Sequence, residues 1–98
     1  MSLVDIAQEL AKEAGRLRFA SPVTHVYNPL AYAWEAHTQY LERFGGTPKE
    51  VLLLGMNPGP WGMVQTGVPF GEVGAVHDWL RINASIGRPS VTPPSTLW

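Results

Sequence analysis

The residues best suited to chemistry in this chain are gathered in one stretch, Gly55 to Gly71, which reads GMNPGPWGMVQTGVPFG. Eight of its seventeen residues are glycine or proline. Glycine lets a backbone approach a ligand closely and adopt positive φ, and proline stiffens the path between such points. A long loop of this composition reads as a shaped site rather than a linker. Within it stand Asn57, Trp61, Gln65 and Phe70. A carboxamide is donor and acceptor at once and is able to position a water. Backbone N–H groups bind carbonyl oxygens, and a ring stacks on a flat heterocycle. Together these groups suit a planar, amide-bearing ligand such as a nucleobase. The alternative from the residues alone is a rigid Gly/Pro turn in which Asn57 satisfies nearby backbone, with Met56 and Met63 as core filler and Phe70 as a loop anchor.

Other chemistries are excluded by what is missing. No Gly-Lys-Ser/Thr follows the glycines, so the loop is not a phosphate-cradling P-loop, and Gly55, Gly59 and Gly62 lack the dinucleotide spacing. No Ser or Cys stands in a nucleophile elbow, and Glu72 is the only carboxylate close by, so paired-carboxylate hydrolysis has no support. The absence of cysteine removes disulfides, thiolate catalysis and Cys-ligated metals, and the three histidines are scattered. Seven Lys/Arg against eight Asp/Glu give a net charge of −1, with no basic stripe of the kind a nucleic-acid binder usually shows. No apolar run approaches the ~18 residues that a membrane crossing needs. The N-terminus carries no basic start followed by an apolar core, so no secretory signal is expected.

The elements that must position this loop are readable in outline. Ser2 and Asp5 occupy capping-box positions ahead of Leu3, Ile6, Ala7, Leu10, Ala11 and Ala14, which recur at helical spacing. Gly15 is expected to stop that helix, because glycine tolerates the left-handed conformation. Asn28 is placed to cap a second helix that starts at Pro29 and ends at Gly45-Gly46, with Leu30, Trp34, His37, Leu41 and Phe44 along one face. Val51 to Leu54 is a short unbroken apolar run bounded by turn residues, as in a strand buried on both faces. A third helix is expected from Glu72 or Gly74 to Ile82, with Val76, Trp79 and Leu80 inward. An irregular segment follows from Gly87, through Pro89, Pro93 and Pro94. Helix, buried strand and Gly/Pro loop in succession suggest an α/β architecture with a parallel sheet, in which ligands sit at the carboxyl ends of strands. One strand cannot make a sheet, so this architecture requires more strands than the chain supplies.

The run from Leu54 to Met63, followed by Gln65 to Val73, resembles the first signature of the single-strand-selective monofunctional uracil-DNA glycosylase family. Tyr27-Asn28-Pro29, Ala33-Trp34, Lys49-Glu50-Val51 and Asp78-Trp79-Leu80 resemble it as well. The resemblance implies a three-layer α/β/α sandwich around a central parallel sheet, with residues 1–98 as the N-terminal part of a single such domain. It implies excision of uracil and C5-oxidised uracils from DNA, single- or double-stranded, in base excision repair, without a metal or other cofactor. With neither an apolar span nor a signal, no membrane partner is expected, and the protein is expected to be cytoplasmic in a bacterium or nuclear in a eukaryote, and a monomer when complete. Position by position, Asn57 matches the asparagine that orients the attacking water. Met56 and Met63 match residues lining the uracil site, Phe70 the ring that stacks on the base, and Gly59 a small residue beside the pyrimidine C5 edge. The family's second asparagine, its late histidine in a His-Pro-Ser type motif and its helical wedge have no counterpart here, and His25, His37 and His77 stand in other contexts. The 98-residue chain alone is therefore expected to be inactive, and the alternative is a truncated module that binds a base, a nucleotide or a protein without hydrolysis.

Overall fold

A computed structural model describes residues 1–89. Helix α1 (Leu3–Gly15) begins with the capping box expected of it. Ser2 Oγ accepts from the Asp5 N–H, and the Asp5 carboxylate accepts from the Ser2 N–H, each at 3.1 Å. The helix ends at Gly15, but not in the left-handed conformation: Arg16 caps it at φ −89°. The face it buries is also turned from the expected one. Val4, Ala7, Ala11 and Ala14 are the covered line, while Leu3, Ile6 and Leu10 remain about half exposed. Helix α1 packs against two neighbours.

Those neighbours are α2 (Pro29–Tyr32) and α3 (Trp34–Phe44), two helices where one was expected. Pro29 starts α2 as anticipated, but Asn28 does not cap it. Its amide instead crosses to α1 and donates to the Ala11 carbonyl at 3.0 Å. The helix breaks at Ala33 (φ −112°, ψ 28°), a fully buried residue against which the later Gly67 is packed. Gly45 ends α3, and it has to be small: a Cβ there would lie 2.7 Å from Leu3 of α1 and 2.6 Å from the Leu41 carbonyl.

The core takes in one face of α3. Ala36, Val68, Val76 and Ile82 form its buried centre, with Tyr40, Leu80 and Ala84 packed around them. Two short elements bring the later residues there: α4 (Met63–Thr66), inside the stretch expected to be loop, and a π-helix, Ala75–Trp79. In the π-helix the Leu80 N–H donates to the Ala75 carbonyl at 2.9 Å, an i→i+5 bond. Such a turn holds more residues than an α turn, so positions three apart no longer stack. Val76 is buried as expected, but Trp79 is turned outward and is 82% exposed. Arg81, with φ 59°, ends this segment before Ile82, and Arg43 of α3 holds the reversal by donating to the Arg81 carbonyl at 2.7 Å.

The expected α/β/α sandwich with a central parallel sheet is not formed. No strand exists among the described residues. The run Val51–Leu54 pairs with none of them, and Leu52 and Leu54 are 89% and 91% exposed. A strand is defined by its ladder, and an apolar run without a partner has no ladder to join. Residues 93 and 94 of the irregular segment lie outside the described part; Gly87 to Pro89 is irregular, with the Gly87 N–H bonded to the Tyr32 carbonyl at 2.8 Å.

Candidate functional site

The stretch from Gly55 to Gly71 is held by a small number of specific bonds. Its first half is braced by itself. The N–H groups of Gly62 and Val64 both donate to the Gly59 carbonyl, at 3.1 and 3.0 Å, and Gln65 Nε2 donates to the Pro60 carbonyl at 3.0 Å. Its second half is braced by the helices. The Tyr32 hydroxyl donates to the Val64 carbonyl, and the His37 imidazole donates from Nδ1 to the Gly67 carbonyl at 2.8 Å. Gly67 sits at φ +74°, and a Cβ there would lie 2.7 Å from the Ala33 Cβ. Thr66 Oγ1 then closes the following turn. It accepts from the Val68 N–H at 3.2 Å and donates to the Gly71 carbonyl at 2.8 Å.

That turn presents Phe70, whose own φ of 59° is in the left-handed region. The ring lies over Gly55, where a Cβ would stand 3.1 Å from its Cζ. Between the two halves opens a cavity of about 720 Å³. Asn57, Met56, Gly59, Met63 and Phe70 all line it, so the five residues singled out in the sequence meet at one place. Met56 fills no core, being 100% exposed, and Phe70 is 69% exposed. Asn57 is exposed, and its carboxamide has no hydrogen-bond partner among the described residues. Both its donor and its acceptor are free for a ligand or a water. Gln65 does not reach this cavity; its part is to brace the loop. Trp61 does line it.

A search of protein-family models finds no match to the chain. Curated relatives do match. Over 85 residues, 87% of this chain, it is 56% identical to the single-strand selective monofunctional uracil DNA glycosylase of Mus musculus. Over the same length it is 55% identical to the proteins of that name from Rattus norvegicus and Bos taurus. The chain is homologous to part of the single-strand selective monofunctional uracil-DNA glycosylases. It spans 29% to 31% of the length of these relatives.

Apart from one carboxylate, the lining of the cavity between Asn57 and Phe70 carries no charged or titratable side chain. None of His25, His37 and His77 lines it, and neither does Asn83. Asn83 and His77 line a separate cavity of about 390 Å³ beside Ala36 and Val76. The charged group that does reach the first cavity is Glu72, which the sequence reading set aside. Its carboxylate accepts from the N–H groups of Gly74 and Ala75, at 2.8 and 3.0 Å. Those two bonds hold it below the usual carboxylate range, so it is anionic at neutral pH. Its signal in the sequence was its place just ahead of a helix, where a carboxylate caps free N–H groups. Among the described residues no group of His, Asp and Glu is arranged to hold a metal, and no helix is long and apolar enough to cross a membrane.

Proposed function

We propose that the cavity between Asn57 and Phe70 receives a uracil flipped out of DNA, and that the chain thereby serves hydrolysis of the N-glycosidic bond in base excision repair. The observation that carries this reading is the presence of a free carboxamide and an exposed ring on one open cavity of about 720 Å³. A cavity of several hundred cubic ångströms suits a small ligand. A base inside a duplex is out of reach of such a site, and extruding it costs a few kcal/mol. Stacking on an aromatic face returns about 1–3 kcal/mol per base, which is the part assigned to Phe70.

Asn57 orients the water that adds to the sugar C1′ as the bond to the base nitrogen breaks and its electron pair leaves with uracil; the proton the water sheds passes to solvent and balances the uracil anion. The sugar develops oxocarbenium character in this step, so the water needs little activation and a neutral amide suffices. Met56 and Met63 line the base. Gly59 supports acceptance of C5-oxidised uracils: the nearest atom to a Cβ built there is the Gly62 nitrogen, 4.0 Å away, so the glycine faces open space.

A second reading is favoured by the composition of the cavity. A departing uracil anion calls for a hydrogen-bond donor or a cation, and the charged group present is the Glu72 carboxylate. A module that binds the base without hydrolysing it fits that composition. Single-turnover excision on a uracil-containing single strand separates the readings, run on the chain itself and on the chain completed with the remaining sequence of a relative. The expected result is binding by both, excision by the completed chain, and a loss of about 10² or more on Asn57→Ala. Unchanged excision by that variant removes Asn57 from the reaction, and binding without product in both arms selects the second reading.

A further inference from the structure

We propose that His37 is a positioning residue of this site: its imidazole, donating to the Gly67 carbonyl, fixes the turn that presents Phe70 to the base. The inference rests on the base-binding reading above for its purpose, and on geometry for its content. His37 stands on α3 and is 7% exposed, between the rings of Trp34 and Tyr40. The cavity lies elsewhere, so His37 does not touch the base. It reaches the site through one bond, Nδ1 to the Gly67 carbonyl at 2.8 Å.

That carbonyl is the point where the loop changes direction. Gly67 is in the left-handed region at φ +74°, and the next residues are closed by the Thr66 hydroxyl onto Val68 and Gly71. Phe70 lies inside that closed turn, so the orientation of its ring depends on where the Gly67 peptide is held. A carbonyl accepts only, so Nδ1 must carry the proton and Nε2 must be bare in the neutral ring. Burial supports the neutral form by pushing the His37 pKa down. Tyr32 secures the other end of α4 through the Val64 carbonyl, and burial pushes its phenol up to about 12, which keeps it a donor. The two donors together seat α4 on the α2–α3 bend.

Packing beside aromatic rings is the competing role for a buried histidine, and three variants decide between packing and positioning. An asparagine amide nitrogen falls near the place of Nδ1, a glutamine nitrogen near that of Nε2, and leucine keeps volume without a donor. The first readout is amide hydrogen exchange in the intact chain at Val68 and Gly71, whose N–H groups bond within the turn. His37→Leu is expected to speed exchange there about tenfold or more, with His37→Gln similar and His37→Asn within about threefold of the parent. Exchange in α1 is expected to stay unchanged in all three. Unchanged exchange in His37→Leu, equal acceleration in α1, or equal rescue by glutamine and asparagine overturns the proposal.

The second readout is affinity for a single strand carrying one uracil, against the same strand with an abasic analogue. Affinity is expected to fall about tenfold in His37→Leu and to return in His37→Asn. Loss that asparagine does not restore counts against positioning. If the parent chain shows no uracil-dependent binding, the base-binding reading fails, and the exchange data still judge the part played by His37.

Discussion

Replacing Gly67 by alanine is the sharpest test of how the candidate site is held. Two separate penalties act at this position. The first is the dihedral: Gly67 has φ +74°, and an L-residue in the left-handed region costs about 1–2 kcal/mol. The second is steric. The new Cβ would lie 2.7 Å from the Ala33 Cβ and 2.8 Å from the Ala33 carbonyl oxygen. Ala33 is fully buried, so it has little room to retreat, and overpacking of this kind costs about 1–3 kcal/mol. The sum is about 2–5 kcal/mol, a large share of the stability of a small chain. At roughly 4–8 °C per kcal/mol, the melting temperature falls by about 10 °C or more.

The assay is urea unfolding followed by tryptophan fluorescence, with the midpoint lowered by about 1 M or more at an unchanged slope. Gly46→Ala is the control: a Cβ there has only the Glu42 carbonyl near it, at 3.9 Å, and the φ is not positive. It is expected to stay within about 0.5 kcal/mol of the parent. Adding Ala33→Gly to Gly67→Ala removes one of the two close contacts but leaves the carbonyl and the dihedral. A double-mutant cycle is therefore expected to show favourable coupling with incomplete recovery. A Gly67→Ala chain as stable as the parent, or a cycle with no coupling, refutes the packing of α4 against the Ala33 bend.

Two further outcomes follow from the same geometry. Stability should depend on pH through His37, whose folded pKa is held below its ordinary value of 6.5 by burial. Between the two values the unfolded chain binds more protons, so stability is fully present above 6.5 and is lost as pH falls through that window. Unfolding midpoints between pH 5 and 7.5 should rise with pH in the parent, and His37→Asn should remove that part of the slope; equal slopes in both chains contradict the assignment. Gly59→Tyr should leave the fold within about 0.5 kcal/mol, because its Cβ points to open space, yet lower affinity for a uracil-containing strand about tenfold by filling the cavity. Unchanged affinity places the base elsewhere.

The gathering of the candidate residues on one cavity was more legible in the sequence than the fold around them, and the reason is distance along the chain. Asn57, Met56, Gly59, Met63 and Phe70 fall within one short stretch whose glycines and prolines bend it back on itself, so neighbours in sequence become neighbours on one cavity. The Ser2–Asp5 capping box was equally legible because it closes within one turn. The bend at Ala33 was not, because it accommodates Gly67 from a remote part of the chain. Asn28 has the right type to cap α2, but α1 offers its amide the Ala11 carbonyl, which no local pattern reveals. Trp79 was assigned inward from an α-helical period, and the i→i+5 turn rotates it out. The sheet failed for a different reason. Val51 to Leu54 has the composition of a buried strand, but composition records what a segment needs and not whether its partners are present.

The most direct measurement uses the methionine methyl groups. Met56 and Met63 line the cavity, and Met1, 97% exposed, does not. With ¹³C-labelled methionine methyls, titration with a single strand carrying one uracil should shift Met56 and Met63 and leave Met1 in place, and the same strand with an abasic analogue should shift none of the three. Equal responses to the two strands, or a uracil-dependent shift confined to Met1, would contradict a base-binding cavity between Asn57 and Phe70.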